Sequence, residues 1–459
     1  MTSPAGRRYT IITAALGSSL APFMVAGLTV AVPTIGKEFA LDPVILSWVP
    51  TAFFLAAAMF LIPFGRIADI IGVKRIFTLG IAIYFFSALL AGLAPSAPVL
   101  IGARFLTGIG AAMIFATSFA LLGLVLPESE RGTALGINIA ASFSGFALGF
   151  LMGGLLTYYS NWRVLFLATL PIDLIVIGII RAKLHRECAL SRGTHLDIPG
   201  IVLNVMTLLL IMVGFSLLPE SEGFVTLIAG LVALAAFIAW EVRSQSPILN
   251  IRLFARNLPF AFANASVLVY YSASFAVIYL FSLYLQYIRG FDARLTGFAL
   301  LFSTLITASL VGYAGRLSDR VSPYHVSMGG IMVSIVGLVV LSFIGPATPV
   351  VVVFGGVVLL AVGAAFFQPP IYNTVIGAIA REMYGVAAGL VETMRLLGMT
   401  ISMAVTIVTF ALFFGSAEIT ETNLSLLLNS MQAIFWVFLI LAVVSLGVVW
   451  MVSRTGENS

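Results

Sequence analysis

The sequence predicts an all-α integral membrane protein of fourteen transmembrane helices. They are arranged as two six-helix bundles with a two-helix hairpin inserted between them. Three observations predict this. Hydrophobic residues make up 61% of the 459 residues and charged residues 9%, with a mean hydropathy of +1.14. A soluble domain carries about 25% charged residues, so a chain this poor in charge has lipid as its solvent. The apolar residues gather into fourteen runs of about the 20 residues a helix needs to cross the hydrocarbon core. Basic residues favour alternate connections between those runs, as positive-inside topology requires.

The runs end at Pro, Gly or charge. The first six lie at roughly 9–32, 44–64, 76–94, 98–126, 133–158 and 163–183. The remaining eight lie at roughly 197–218, 223–242, 258–287, 295–315, 324–345, 349–379, 384–415 and 430–452. Backbone groups in lipid must be satisfied within their own segment, so helices are expected. Barrel strands would alternate in polarity, and these runs do not. The first run is too long for the apolar core of a cleavable signal peptide and lacks a small-residue cleavage site.

With the N-terminus in the cytoplasm, only Lys37, Arg163, Arg289 and Arg294 of the 23 basic residues fall outside. Arg104 and Arg395 fall within runs, and the rest fall inside. An even number of spans returns the C-terminus to the cytoplasm. The net charge of +5 is therefore a topology signal of a cell-membrane protein, not a nucleic-acid footprint. The single cysteine, Cys188, excludes an internal disulfide. His185, His195 and His325 fall in polar connections without metal-ligand spacing, so no metal and no cofactor is expected.

The chain divides into residues 1–186, a first six-helix bundle; 187–250, an inserted hairpin; and 251–459, a second six-helix bundle. A weak internal echo supports the division. Gly65-Arg66-Ile67-Ala68-Asp69 follows the second run, and Gly315-Arg316-Leu317-Ser318-Asp319-Arg320 follows the tenth. Paired repeats of this kind build many secondary transporters, with the site between the halves.

Gly65, Asp69, Gly72, Lys74 and Arg75 match the signature loop of the major facilitator superfamily, and here the resemblance becomes specific. Arg104, Gly108 and Gly110 resemble its fourth-helix motif. Gly145, Gly149, Gly153 and Gly154 resemble the fifth-helix motif of its antiporters. Asn161-Trp162-Arg163 with Phe166 and Pro171 is similar to the fourteen-spanner drug:proton antiporter branch, as are Gly385, Gly389 and Leu390 with Arg395 and Gly398. The resemblance covers essentially the whole chain. It implies a major facilitator fold, a conformational switch at the 65–75 loop and a gate at the glycine face of the fifth helix. Two positions depart from the pattern. Where the antiporter motif has proline after its middle glycine, this chain has Phe150. Where the drug-exporting branch carries an acid in the first helix, before a stretch read here as Thr29-Val30-Ala31-Val32-Pro33, this chain has Met24.

The residues suggest roles of their own. Gly65 and Gly72 permit a tight connection, and Asp69 can bond a helix N-terminus or an Arg, a latch between the halves. Arg104 is too costly to face lipid, so it tunes a protonatable group, bonds carbonyls or snorkels outward. Small residues at i, i+4 and i+8 let a helix approach the fifth run closely. Two acids lie within runs. Glu392 stands three residues before Arg395, on one helix face, and is the leading proton carrier, with a permanent ion pair to Arg395 as the competing reading. Asp173 is the alternative carrier, with a carboxyl near the outer interface as its competing reading. Tyr270, Tyr271, Asn264, Asn138, Gln368 and Asn373 are candidates for the substrate cavity or for interhelical hydrogen bonds, and Pro369-Pro370 breaks the helix beside the last two. Tyr284 and Tyr287 read as an outer aromatic belt.

The expected function is secondary active transport: proton-coupled export of hydrophobic or amphipathic small molecules by alternating access. The partners are the solute, protons and the bilayer, with a monomer as the functional unit. A facilitator or symporter of one solute is the alternative within transport, and a non-transporting membrane sensor the alternative outside it. An enzyme is not expected, because no catalytic cluster lies in a run. Nor is an ATP-driven pump, because no Gly-x-x-x-x-Gly-Lys-Ser/Thr segment occurs.

Overall fold

Lipid-facing sequence folds here into helices from end to end. The computed structural model describes residues 4–123, 131–183, 196–249, 251–379, 384–415 and 417–456. His185, Cys188, His195 and the boundary at 186–187 lie outside these residues. The first set of helices is α1 (Pro4–Phe39), α2 (Pro43–Ile71), α3 (Val73–Gly92), α4 (Ala97–Gly123), α5 (Arg131–Tyr159), α6 (Trp162–Leu167) and α7 (Leu170–Lys183). A hairpin follows, α8 (Ile198–Leu217) and α9 (Ser221–Arg243). The second set is α10 (Ile251–Arg256), α11 (Leu258–Ser274), α12 (Ala276–Leu283), α13 (Ala293–Ser318), α14 (Pro323–Ser342), α15 (Val350–Gly377), α16 (Tyr384–Phe414) and α17 (Leu424–Gly456). A π-turn at Tyr284–Ile288 ends the span begun by α11. Among the described residues fourteen helices are long and apolar enough to span a membrane, an even number that returns the last described helix to the end where the first begins. The expected run at 430–452 begins at Leu424 instead, because its first turn is polar only at Ser425 and Asn429.

Local chemistry places the connections. Asp42 caps α2 by accepting from the backbone N–H of Val44 and Ile45 at 2.8 and 2.9 Å, with Pro43 in the first turn. Asp292 and Asn257 cap α13 and α11 in the same way. Gly72 joins α2 to α3 with φ of +132°, a conformation that side chains rarely adopt, which accounts for glycine there.

The two sets of helices pair alike. In the first, α1 packs on α5, α2 and α3 pack on α4, and α7 packs on α3 and α1. In the second, α11 packs on α16, α13 and α14 pack on α15, and α17 packs on α14 and α11. Across the middle, α5 meets α13 and α2 meets α16, which is the same contact generated twice by a pseudo-twofold axis.

The hairpin lies over one of these two seams. Helix α8 packs on both α2 and α16, and Met212 is buried with Leu55, Met59 and Ala404. Asn204, which with Thr207 is a buried polar residue of α8, donates its side-chain amide to the Met59 carbonyl at 2.8 Å. That carbonyl is available because Pro63, four residues on, has no N–H to bond it. At its polar end the hairpin is fastened to the next segment. Asp197 accepts from Gly200, Trp240 and Ser244, and Glu241 accepts from the Leu249 N–H at 2.9 Å. Asn204→Leu should lower stability by about 1 kcal/mol, since it orphans a carbonyl in lipid. Pro63→Ala should recover most of that loss by restoring the helix's own donor. A double-mutant cycle on thermal unfolding in detergent measures this, and equal losses with and without Pro63 would disprove the pairing.

Candidate functional site: a central crevice closed at one end

The halves are locked together at the end remote from the chain termini. Ser282 on α12 donates to the Thr29 carbonyl at 2.7 Å, and Pro33 is what frees that carbonyl from its helical partner. Gln286 donates to the Val30 carbonyl at 2.9 Å, and Tyr287 to the Pro33 carbonyl at 3.2 Å. The hydroxyls of Ser47 and Tyr279 lie 3.1 Å apart. Phe54 and Phe275 meet edge to face at 4.6 Å. A Cβ on Gly154 would stand 3.1 Å from the Gly297 Cα and 2.8 Å from the Ala293 carbonyl, so α5 and α13 touch almost backbone to backbone.

Just below this lock lies a small cavity between the halves. Thr29, Phe54, Phe150, Phe275, Tyr279 and Met403 are among its lining residues, and no charged side chain lines it. Its volume of about 30 Å³ holds a water molecule or two and no drug-sized solute. Phe150, which stands where an antiporter motif places proline, is buried and fills this space from α5. Binding a solute here requires the halves to separate.

Within the first bundle, Arg104 on α4 and Asp173 on α7 are both fully buried. Neither has a hydrogen-bond partner on any side-chain nitrogen or oxygen. Arg104 lies over the Phe53 ring at 4.7 Å. The Tyr84 hydroxyl, which donates to the Leu20 carbonyl at 3.1 Å, is within electrostatic reach of both. Asp173 is therefore buried within the bundle rather than exposed at a polar interface, four residues after the α6–α7 break at Ala168–Thr169.

Within the second bundle, Glu392 and Arg395 form a bidentate ion pair, with the Arg395 Nε 2.8 Å from one carboxylate oxygen and its NH2 bonded to the other. Both are partly exposed. Tyr271, Tyr372 and Gln368 surround the pair. The ion-pair reading of Glu392 is the arrangement present. Tyr270 takes the interhelical alternative: its hydroxyl lies 3.1 Å from that of Ser334, and its ring stacks on Phe367 at 4.0 Å, away from the crevice. Asn264 is buried and donates to the Phe260 carbonyl of its own helix. Asn373 is exposed, 3.4 Å from the Ser318 hydroxyl. Asn138 lies on α5, and its side chain is outside the described set. Tyr284 is buried and accepts from the Arg289 Nε at 2.8 Å, so it belongs to the core rather than to a lipid-facing belt.

The glycine row of α5 serves two neighbours. Gly145, Gly149 and Gly153 face Ser19, Phe23 and Gly27 of α1, within the first bundle. Gly154 alone faces the second bundle. In the 65–75 loop, Asp69 lies within electrostatic reach of Arg66, one turn earlier, and among the described residues it has no bond to the second bundle. A Cβ on Gly65 would meet only Ala116, at 4.0 Å, and Lys74 and Arg75 lie in the first turn of α3. Gly385 and Gly389 lie on α16, where a Cβ at 389 would meet nothing within 4 Å.

Asn161-Trp162-Arg163 proves to be a staple. Asn161 caps α6, and Trp162 and Arg163 each donate to the Glu38 carboxylate at 2.6 Å. Arg163 also donates to the Ala94 carbonyl. Glu38 was not singled out from sequence, and the run of charge at Lys37-Glu38 beside a span end was its only signal.

Two six-helix bundles related by pseudo-symmetry, meeting around an uncharged crevice, define a carrier that moves solute rather than a catalyst. The chain belongs to the Major Facilitator Superfamily, whose family model matches residues 14–403. It is a multi-pass membrane transporter, not an enzyme. Among its relatives, multidrug resistance protein Stp of Mycobacterium tuberculosis (strain CDC 1551 / Oshkosh) is 29% identical, over 86% of this chain and 74% of that protein. Riboflavin transporter RibZ of Clostridioides difficile (strain 630) is 24% identical, over 85% of this chain and 84% of that protein. The fold is similar to that of a bacterial homologue of the human lysosomal transporter Spinster, with a TM-score of 0.68 at 17% identity, covering 99% of this chain and 98% of that one.

Proposed function

We propose that the protein exports hydrophobic or amphipathic small molecules across the cell membrane in exchange for protons, by alternating access. Its termini would lie in the cytoplasm, and a monomer would suffice. Residues 1–186 and 251–459 would rock as two bundles, with 187–250 as the inserted hairpin. One observation carries the coupling: Asp173 is buried without a single hydrogen-bond donor. An unbonded neutral acid in such a place costs a few kcal/mol, roughly, and a carboxylate far more. Burial and protonation of this side chain therefore go together, and a state that wets the first bundle releases the proton. Met24 leaves the middle of the first helix without an acid, and Glu38 at its end is already bonded by Trp162 and Arg163, so coupling calls for an acid elsewhere. Glu392 is less suited, because Arg395 already neutralises it. The aromatic, uncharged lining suits poorly water-soluble solutes, and the named multidrug resistance relative supports export. A single-solute carrier is the second reading, favoured by the relative named as a riboflavin transporter.

The test is a reconstituted vesicle carrying an imposed proton gradient. Lipophilic cations and neutral aromatic drugs are added one at a time. Accelerated collapse of the gradient with one or more of them is the expected result. Binding or solute flux with no proton movement would overturn the coupling.

A further inference from the structure

A groove of about 510 Å³ opens on the outer face of the second bundle, between α13 and α14 at the terminus-bearing end, with α15 as its floor. Its walls include Leu317, Val326 and Val333, its floor is Val362 and Phe366, and His325 stands at its polar end.

The pseudo-symmetry gives this groove an internal control. In the first bundle the same positions on α2, α3 and α4 are Ile67, Ile76, Ile83, Ile109 and Met113, and they pack as a closed apolar cluster with Phe64. The register is fixed by close backbone approaches: Gly80 meets the Gly110 carbonyl, and Gly330 meets the Gly363 carbonyl. In the second bundle three of the isoleucines become valines, Phe64 is matched by Ala314, and Leu79 is matched by Gly329. These changes remove side-chain volume around the groove, against one that adds it, Met113 to Phe366 on the floor. A Cβ added at Gly329 would meet nothing within 4 Å. The apolar space is therefore emptied by sequence and not by loose packing.

The mouth of the groove is basic. Tyr313, Arg316 and Leu317 lie in the last turns of α13, and Arg320 follows in the turn after it, directly before Val321, which lines the groove. Leu317 and Val321 line the groove and Tyr313 meets the Phe366 ring at 6.1 Å, so Arg316 and Arg320 each stand next in sequence to a lining residue, with the Arg316 Nε donating to the Gly312 carbonyl at 3.3 Å. Arg316 and Arg320 are exposed, as is His325 across the mouth on α14. An apolar slot along the membrane depth, headed by two guanidiniums and an imidazole at the polar boundary, is complementary to one molecule type present in every bilayer.

We propose that this groove is a binding site for an anionic phospholipid. One acyl chain lies along Leu317, Val333, Val362 and Phe366, and the phosphate is met by Arg316, Arg320 and His325. The partner comes from the leaflet facing the 318–323 connection.

The experiment is native mass spectrometry on the full-length protein, delipidated and then exposed to dioleoyl-phosphatidylglycerol, dioleoyl-phosphatidylcholine or inorganic phosphate. The wild type should retain one phosphatidylglycerol at least tenfold more tightly than phosphatidylcholine. Gly329→Leu restores the side chain that the first bundle carries at that position. It should cut phosphatidylglycerol retention at least tenfold with an unchanged melting temperature. Arg316→Gln with Arg320→Gln should equalise the two lipids. The proposal fails if the wild type holds both lipids alike, if Gly329→Leu retains phosphatidylglycerol as the wild type does, or if inorganic phosphate displaces the lipid.

Discussion

Asp173→Asn should reduce transport driven by a proton gradient at least tenfold, while solute exchange at equal pH on both sides continues near the wild-type rate. The reasoning is that asparagine keeps the shape of the neutral acid but cannot lose a proton. The buried, unpartnered environment of Asp173 accepts a neutral group, so the variant should fold and insert. Only the step that needs a change of charge is removed. Glu392→Gln is the companion measurement. It strips Arg395 of its bidentate partner and leaves a guanidinium among Tyr271, Tyr372 and Gln368. Its expected effect is a loss of stability, with gradient-driven and exchange rates falling together. The two variants thus separate a coupling acid from a structural one by the ratio of driven transport to exchange. If Asp173→Asn lowers both rates equally, or neither, the assignment of the coupling acid is wrong.

The fold was legible because lipid imposes a strict length and composition on every span, and the chain announces both. The positions of prolines were equally visible, but not their consequences. Pro33 and Pro63 each free a carbonyl four residues back, and sequence cannot say which donor fills the gap. The structure supplies Ser282 for one, joining the two halves, and Asn204 for the other, docking the hairpin. Asn204 is the residue that ties α8 to α2. Directions around a helix axis were the other hidden quantity. Tyr270 and Tyr271 are adjacent in sequence, yet one reaches Ser334 in the bundle core while the other lies beside Arg395. Asp173 could have faced a polar interface, and it is buried inside the first bundle instead. An apolar span carries little periodicity to fix such rotations, since its lipid face and its buried face are made of the same residue types.

The glycine row of α5 provides the second large effect, because two neighbouring substitutions should fail in different ways. At Gly149 a Cβ would come within 2.3 Å of the Phe23 carbonyl oxygen, on a helix of the same bundle. Gly149→Ala must push α1 away from α5, the tightest pairing in that bundle, and should cost about 2 kcal/mol of stability. At Gly154 the Cβ would approach Ala293 and Gly297, which belong to the other bundle. Nothing inside the first bundle need move. The halves can relieve the clash by parting at this end, which is the motion that alternating access requires. Gly154→Ala should therefore leave the melting temperature within a few degrees of wild type and shift the population toward a state opened at the remote end. Spin labels at Ser160 and Ala347, placed after Cys188→Ser, would report the opening as a longer interspin distance. Gly389→Ala is the control, with no atom near its Cβ. A melting temperature lowered as much by Gly154→Ala as by Gly149→Ala, with unchanged distances, would mean that α5 and α13 form one rigid core. The halves could not then separate there.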